Sequence, residues 1–166
     1  KIYLNLALIL YQNLQKKVFY FCFVHGILSS KVVSVVSDYA KIGYWLESAE
    51  YDLQTAHAML ETKRLLYVGF MCHQVIEKSL KGIYVSRNPD AELPYIHKLL
   101  RLANLSGVYD EMSDAQKDLL DMLSPLNIEA RYPMHKELLL QSLTVERCET
   151  MIQETEALYV WLKTKC

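Results

Sequence analysis

From Asp38 onward, apolar and polar positions recur along the chain at a helical period. Trp45, Ala49, Leu53, Ala56 and Leu60 are spaced by three and four, with Glu47, Glu50 and Glu61 on other faces, which predicts an amphipathic helix from about Asp38 to Lys63. A second helix is predicted from about Leu65 to Ser86. Within it Val68, Cys72, Val75, Ile76, Ser79 and Ile83 share one face, while His73, Glu77 and Lys81 step by four along another. Arg87-Asn88-Pro89-Asp90 ends this helix, because proline lacks the backbone donor and pushes the residue before it out of helical geometry.

A short helix from about Ile96 to Leu105 follows, closed by the turn Ser106-Gly107. Asp114 reads as the N-cap of a helix from Ala115 to Leu123, and Pro125 bounds it. Thr144 reads as the cap of a last helix, on which Cys148, Met151, Ile152, Thr155, Leu158 and Leu162 form the apolar stripe. Glu146 and Glu149 near its start and Lys163 and Lys165 near its end complement the helix dipole. With no strong strand signal after residue 37, no internal repeat and no low-complexity tract, the pattern predicts an all-α, up-and-down four-helix bundle with an additional short helix.

Composition agrees with one globular domain. Of 166 residues, 52% are hydrophobic and 22% charged, a balance that can fill a core. The 18 basic and 19 acidic residues leave no overall basic field of the kind that coats nucleic acid without regard to sequence, and no DNA-specific motif is present. Cys22, Cys72, Cys148 and Cys166 lie far apart with no C-x-x-C pair, so reduced thiols in a cytoplasmic protein are expected, with neither a metal site nor a cofactor.

Charge divides the chain at one point. Residues 1–37 hold four lysines, no carboxylate and six aromatics, whereas residues 38–166 hold 14 basic and 19 acidic residues. We therefore read 1–37 as an atypical apolar, basic extension and 38–166 as the helical domain. The apolar runs of the extension, Ile2 to Tyr11 and Val18 to Leu28, are shorter than the roughly eighteen residues a membrane helix needs. Lys1 and Ile2 to Leu10 resemble the start of a secretory signal, but no A-x-A-like site follows, and a membrane association is not expected.

Candidate chemistry lies in two places. His73, Glu77 and Lys81 form either a solvated ladder, each pair contributing about 0.2–0.5 kcal/mol, or, with Gln74 and Lys78, a set of donors to a phosphate or base. His97 sits at a helix start, where it would hydrogen-bond the backbone. Farther on, Arg131 stands beside Tyr132-Pro133. Its guanidinium suits bidentate contact with a phosphate or carboxylate, or an internal ion pair with Glu129 or Glu77. Tyr132 reads as a core aromatic with its hydroxyl at the surface.

Four stretches, taken together and in order, resemble the HEPN family of small helical proteins of prokaryotes. They are Trp45-Leu46-Glu47-Ser48-Ala49-Glu50-Tyr51-Asp52-Leu53, His73-Gln74-x-x-Glu77-Lys78-x-x-Lys81, His97-Lys98-Leu99-Leu100 and Ala130-Arg131-Tyr132-Pro133, covering roughly residues 40 to 165. The resemblance implies a helical bundle that dimerises, and a partner protein, since many members are encoded beside a small nucleotidyltransferase. It also implies either a nucleotide- or RNA-binding module of a toxin–antitoxin-like or defence system, or a metal-independent ribonuclease toxin. For the first, the ligand-contact candidates are Arg131, His73, Gln74, Glu77, Lys78, Lys81, His97 and Tyr132. For the second, the catalytic candidates are Arg131 and His135. Nuclease members carry an arginine followed four to six residues later by a histidine. Here three residues separate Arg131 from His135, at least one too few, and Pro133 between them argues against a continuous helix that would put both on one face. The binding module is therefore the favoured reading. Tyr51, Tyr67 and Tyr84 are candidates for the dimer contact.

Overall fold

The computed structural model describes residues 30–129 and 143–166, with side chains described for 38–127 and 143–166. Among these residues the secondary structure is entirely helical. In chain order the elements are α1 (Ser30–Glu61), α2 (Leu65–Arg87), α3 (Leu99–Leu105), a 3-10 turn (Tyr109–Glu111), α4 (Asp114–Leu123), α5 (Leu126–Glu129) and α6 (Val145–Lys163).

α2 is the centre of the bundle. It packs against α1 over much of its length and also meets α3, α4, α5 and α6. Leu80, Ile83, Leu102, Leu120, Leu123, Ile152, Leu158 and Leu162, drawn from four of these helices, form the most deeply buried layer. Glycine permits two of the close approaches. A Cβ on Gly69 would fall 2.7 Å from Leu126 Cδ1, so the short α5 lies directly on the α2 backbone, and Trp45 of α1 lies against Gly82. Tyr159 of α6 donates its hydroxyl to the Leu46 carbonyl of α1 at 3.2 Å, and burial pushes that phenol's titration upward.

The turn between α1 and α2 is a C-terminal capping motif. Arg64 N–H donates to Met59 O at 2.7 Å and Lys63 N–H to Leu60 O at 3.0 Å, with Lys63 in the left-handed region at φ 55°. These are the paired bonds of a Schellman cap, here built on lysine in place of the usual glycine. The chain reverses within three residues, which makes α1 and α2 an antiparallel hairpin.

Three predicted boundaries are corrected. α1 already includes Ser30, before Asp38, so the charge boundary falls inside a helix. Helix propagation across it needs one more hydrogen bond per residue and no new nucleus, even through the valines of Ser30–Ser37. α3 begins at Leu99, not Ile96, because Ile96 N–H is held by Pro94 O and the His97 carbonyl is bonded to His73. The cap of α4 is Ser113, not Asp114. Ser113 Oγ accepts from Gln116 N–H at 3.3 Å while Gln116 Oε1 accepts from Ser113 N–H at 2.9 Å, a capping box that shifts Asp114 into the first turn. Thr144 caps α6 as predicted, accepting from Arg147 N–H at 3.2 Å, and α2 runs one residue past its predicted end.

Candidate functional site

The polar ladder of α2 is inside the protein. Because α2 is covered by α1 on one side and by the segment leading into α3 on another, His73 is wholly buried, Glu77 is 3% exposed and Lys81 is 8% exposed. The solvated-ladder reading is thus overturned. A periodicity that separates polar from apolar faces cannot show that both faces of a central helix are covered.

At the centre of the ladder stands the Glu77 carboxylate. Oε1 accepts from Lys81 Nζ at 2.7 Å and from His97 Nδ1 at 3.0 Å, and Oε2 lies 3.1 Å from the same His97 nitrogen. His73 Nδ1 approaches Oε2 at 3.7 Å. A buried carboxylate is stable only when opposite charge and donors surround it, and here Lys81 and His97 donate to it. Lys81 also lies 5.5 Å from the centroid of the Trp45 ring, so α1 contributes a π face to the same cation.

Two histidines have proton positions set by acceptor-only partners. His73 Nε2 bonds the His97 carbonyl oxygen at 3.1 Å, so Nε2 carries a hydrogen. His97 Nδ1 faces a carboxylate, so Nδ1 carries one too. With its Nδ1 edge against Glu77 and 62% of the side chain exposed, His97 turns its Nε2 edge to solvent. A buried acid that orients a surface imidazole through Nδ1 leaves Nε2 free to accept a proton or, when protonated, to meet a phosphate.

The other predicted residues fall around this node. Lys78 pairs with Asp52 of α1, a carboxylate only 9% exposed, so its charge is partly spent inside the bundle. Gln74 is half-buried one turn before Lys78. Arg131, Tyr132 and His135 lie outside the described residues. Sequence reasoning gave Asp52 no role, although its place among Ala49, Leu53 and Ala56, on the inner stripe of α1, was the available signal. It also left His97 without its partner, because Glu77 is twenty residues away and on another element.

Elsewhere the described chemistry is sparse. Burial pushes the Cys72 thiol up to about 12 and raises Cys148 as well, so neither is a poised nucleophile. No group of three or more His, Cys, Asp or Glu residues suited to a metal ion occurs among the described residues, and none of their helices is long and apolar enough to cross a membrane.

Comparisons with known proteins agree with this geometry at the level of fold and family. No curated protein matches the chain. Among solved structures it is similar to the crystal structure of TT1696 from Thermus thermophilus, with a TM-score of 0.63 and 20% identity over 76% of this chain and 98% of that one, a likeness of fold. The model of the HEPN domain matches residues 42–165, from the first turns of α1 that carry described side chains to the end of α6. The ladder of α2, the His97 segment and most of the helices that enclose them fall within that match, and the chain belongs to the HEPN domain family.

Proposed function

We propose that this protein is a HEPN-type nucleotide- or RNA-binding module that works with a small nucleotidyltransferase in a toxin–antitoxin-like or defence system, holding its ligand without cutting it. One observation carries the binding part of the reading: the buried Glu77 carboxylate, itself held by Lys81, fixes one exposed imidazole, His97. A bundle that needed only stability would do as well with apolar residues at these positions, since exchanging a buried charge cluster for well-packed hydrophobes is often neutral or stabilising. In this reading His73, Glu77 and Lys81 position His97, and Arg131 supplies the bidentate phosphate contact.

The ribonuclease alternative rests on Arg131 and His135. Arg131→Ala should weaken RNA binding by about 1.5–3 kcal/mol, the worth of a charge-assisted contact, while His135→Ala should leave binding unchanged. Metal-independent cleavage lost equally in both variants would establish the toxin instead. A homodimer belongs to the same proposal. Tyr51 is 71% and Tyr67 46% exposed, Tyr44 joins Tyr51 two turns away on α1 at 63%, and Tyr84 is half-buried. Light scattering at micromolar concentration should give twice the chain mass of 19.3 kDa.

A further inference from the structure

The connection between α2 and α3 holds side chains that the Glu77 node does not use. Tyr95 is fully exposed, at 101%. Its backbone is nevertheless ordered by a specific bond: Ile96 N–H donates to Pro94 O at 2.9 Å, which closes a three-residue turn with Tyr95 at its tip. Two residues later His97 is held twice, through its ring by Glu77 and through its carbonyl by His73. Lys98, next in the chain, is exposed. A planar aromatic, an oriented imidazole and an ammonium therefore lie within four residues, in a segment fastened to the central helix at His97 by partly buried hydrogen bonds.

An exposed tyrosine ring at a turn tip gains nothing from the core, since aromatic side chains stabilise a fold by burying their faces. Bases that are not paired in a duplex stack on such rings, and adjacent cations meet their phosphates. The near-neutral charge of the chain and the exposed carboxylates Asp90 and Glu92 earlier in the same connection confine this chemistry to a short patch. A short patch suits a few unstacked nucleotides better than the continuous phosphate track of a duplex.

We propose that Pro94–Lys98 is a contact site for single-stranded RNA, in which Tyr95 stacks on a base and His97 Nε2 and Lys98 Nζ meet the neighbouring phosphate. The proposal rests on the nucleotide- or RNA-binding reading and names the place where the ligand sits. Its test is a fluorescence-anisotropy titration of the full chain with a fluorescein-labelled single-stranded oligouridylate. Tyr95→Ala should weaken binding roughly 5- to 150-fold, the range for one base stack, and Tyr95→Phe should retain it. Lys98→Gln should lower the slope of log affinity against log salt by roughly 0.7, one phosphate contact on a single strand. Since the Tyr95 ring is open to solvent, Tyr95→Ala should melt with the parent protein, which separates binding from folding. If Tyr95→Ala binds as the parent does while Arg131→Ala is weakened, the protein binds RNA elsewhere and this site is overturned. If the duplex form of the probe binds as well as the single strand, stacking is overturned. If the parent chain does not bind the probe, the binding reading falls together with the site.

Discussion

At the scale of single residues, one carboxylate organises the candidate site. Removing it strands Lys81 in a space that is 8% exposed and releases His97 from its orientation. Glu77→Ala should lower stability by about 3–5 kcal/mol, the usual result of breaking one side of a buried charge cluster, as measured by urea unfolding. A loss below about 1 kcal/mol would match an exposed pair and contradict the buried node. Lys63 offers the opposite test. A lysine in the left-handed region costs about 1–2 kcal/mol that glycine avoids, so Lys63→Gly should raise the unfolding midpoint by about 1 kcal/mol in stability. A lower midpoint would mean that the lysine stem has packing worth more than the strain. The ladder itself was legible from the spacing of His73, Glu77 and Lys81. Its burial was not, because that depends on Trp45, Asp52 and His97, which come from other elements and lie at least twenty residues from Glu77 in sequence.

At the scale of elements, the chain is legible where one helix carries its own signals. The extents of α2, α4 and α6 follow from apolar stripes bounded by Pro89, Pro125 and Thr144. The S-x-x-Q of Ser113 and Gln116 was also present, but the neighbouring Asp114 obscured it. By contrast, the start of α3 depends on the local turn at Pro94–Ile96 and on a tertiary bond between His73 and the His97 carbonyl, and helical periodicity reveals neither. The composition change at Asp38 marked charge and not helix, since α1 passes through it. The described core residues nevertheless begin at Ala49, well beyond that point. A chain beginning at Asp38 should therefore melt cooperatively, with helical circular dichroism, because a domain of about 130 residues buries enough surface to fold alone. Aggregation or a transitionless melt would show that residues before Asp38 cover an apolar face.

At the scale of the whole molecule, α2 gathers the other helices and the ends of the bundle are tied by charge. Glu111 in the 3-10 turn accepts from Lys165 beyond α6 at 2.7 Å and from Arg87 at the end of α2 at 3.4 Å. These two cations, Lys165 foremost, hold its carboxyl below the ordinary glutamate range. A depressed folded-state pKa contributes stability above the unfolded value, about pH 4.3, and loses it as pH falls through the folded value. Glu111→Gln should therefore be less stable than the parent at neutral pH, with the difference disappearing in acid; a difference that persists at low pH would assign the effect to packing. The fold and family were readable from the order and spacing of four stretches that each carry little information alone. The orientation of His97 required the assembled bundle. The proposed holding of RNA without cleavage is tested by incubating labelled single-stranded RNA with excess protein in the presence of a chelator. A retained complex from which full-length RNA is recovered is expected, with retention weakened by Arg131→Ala and unchanged by His135→Ala. RNA cleaved by the parent chain and left intact by both variants would contradict the proposal.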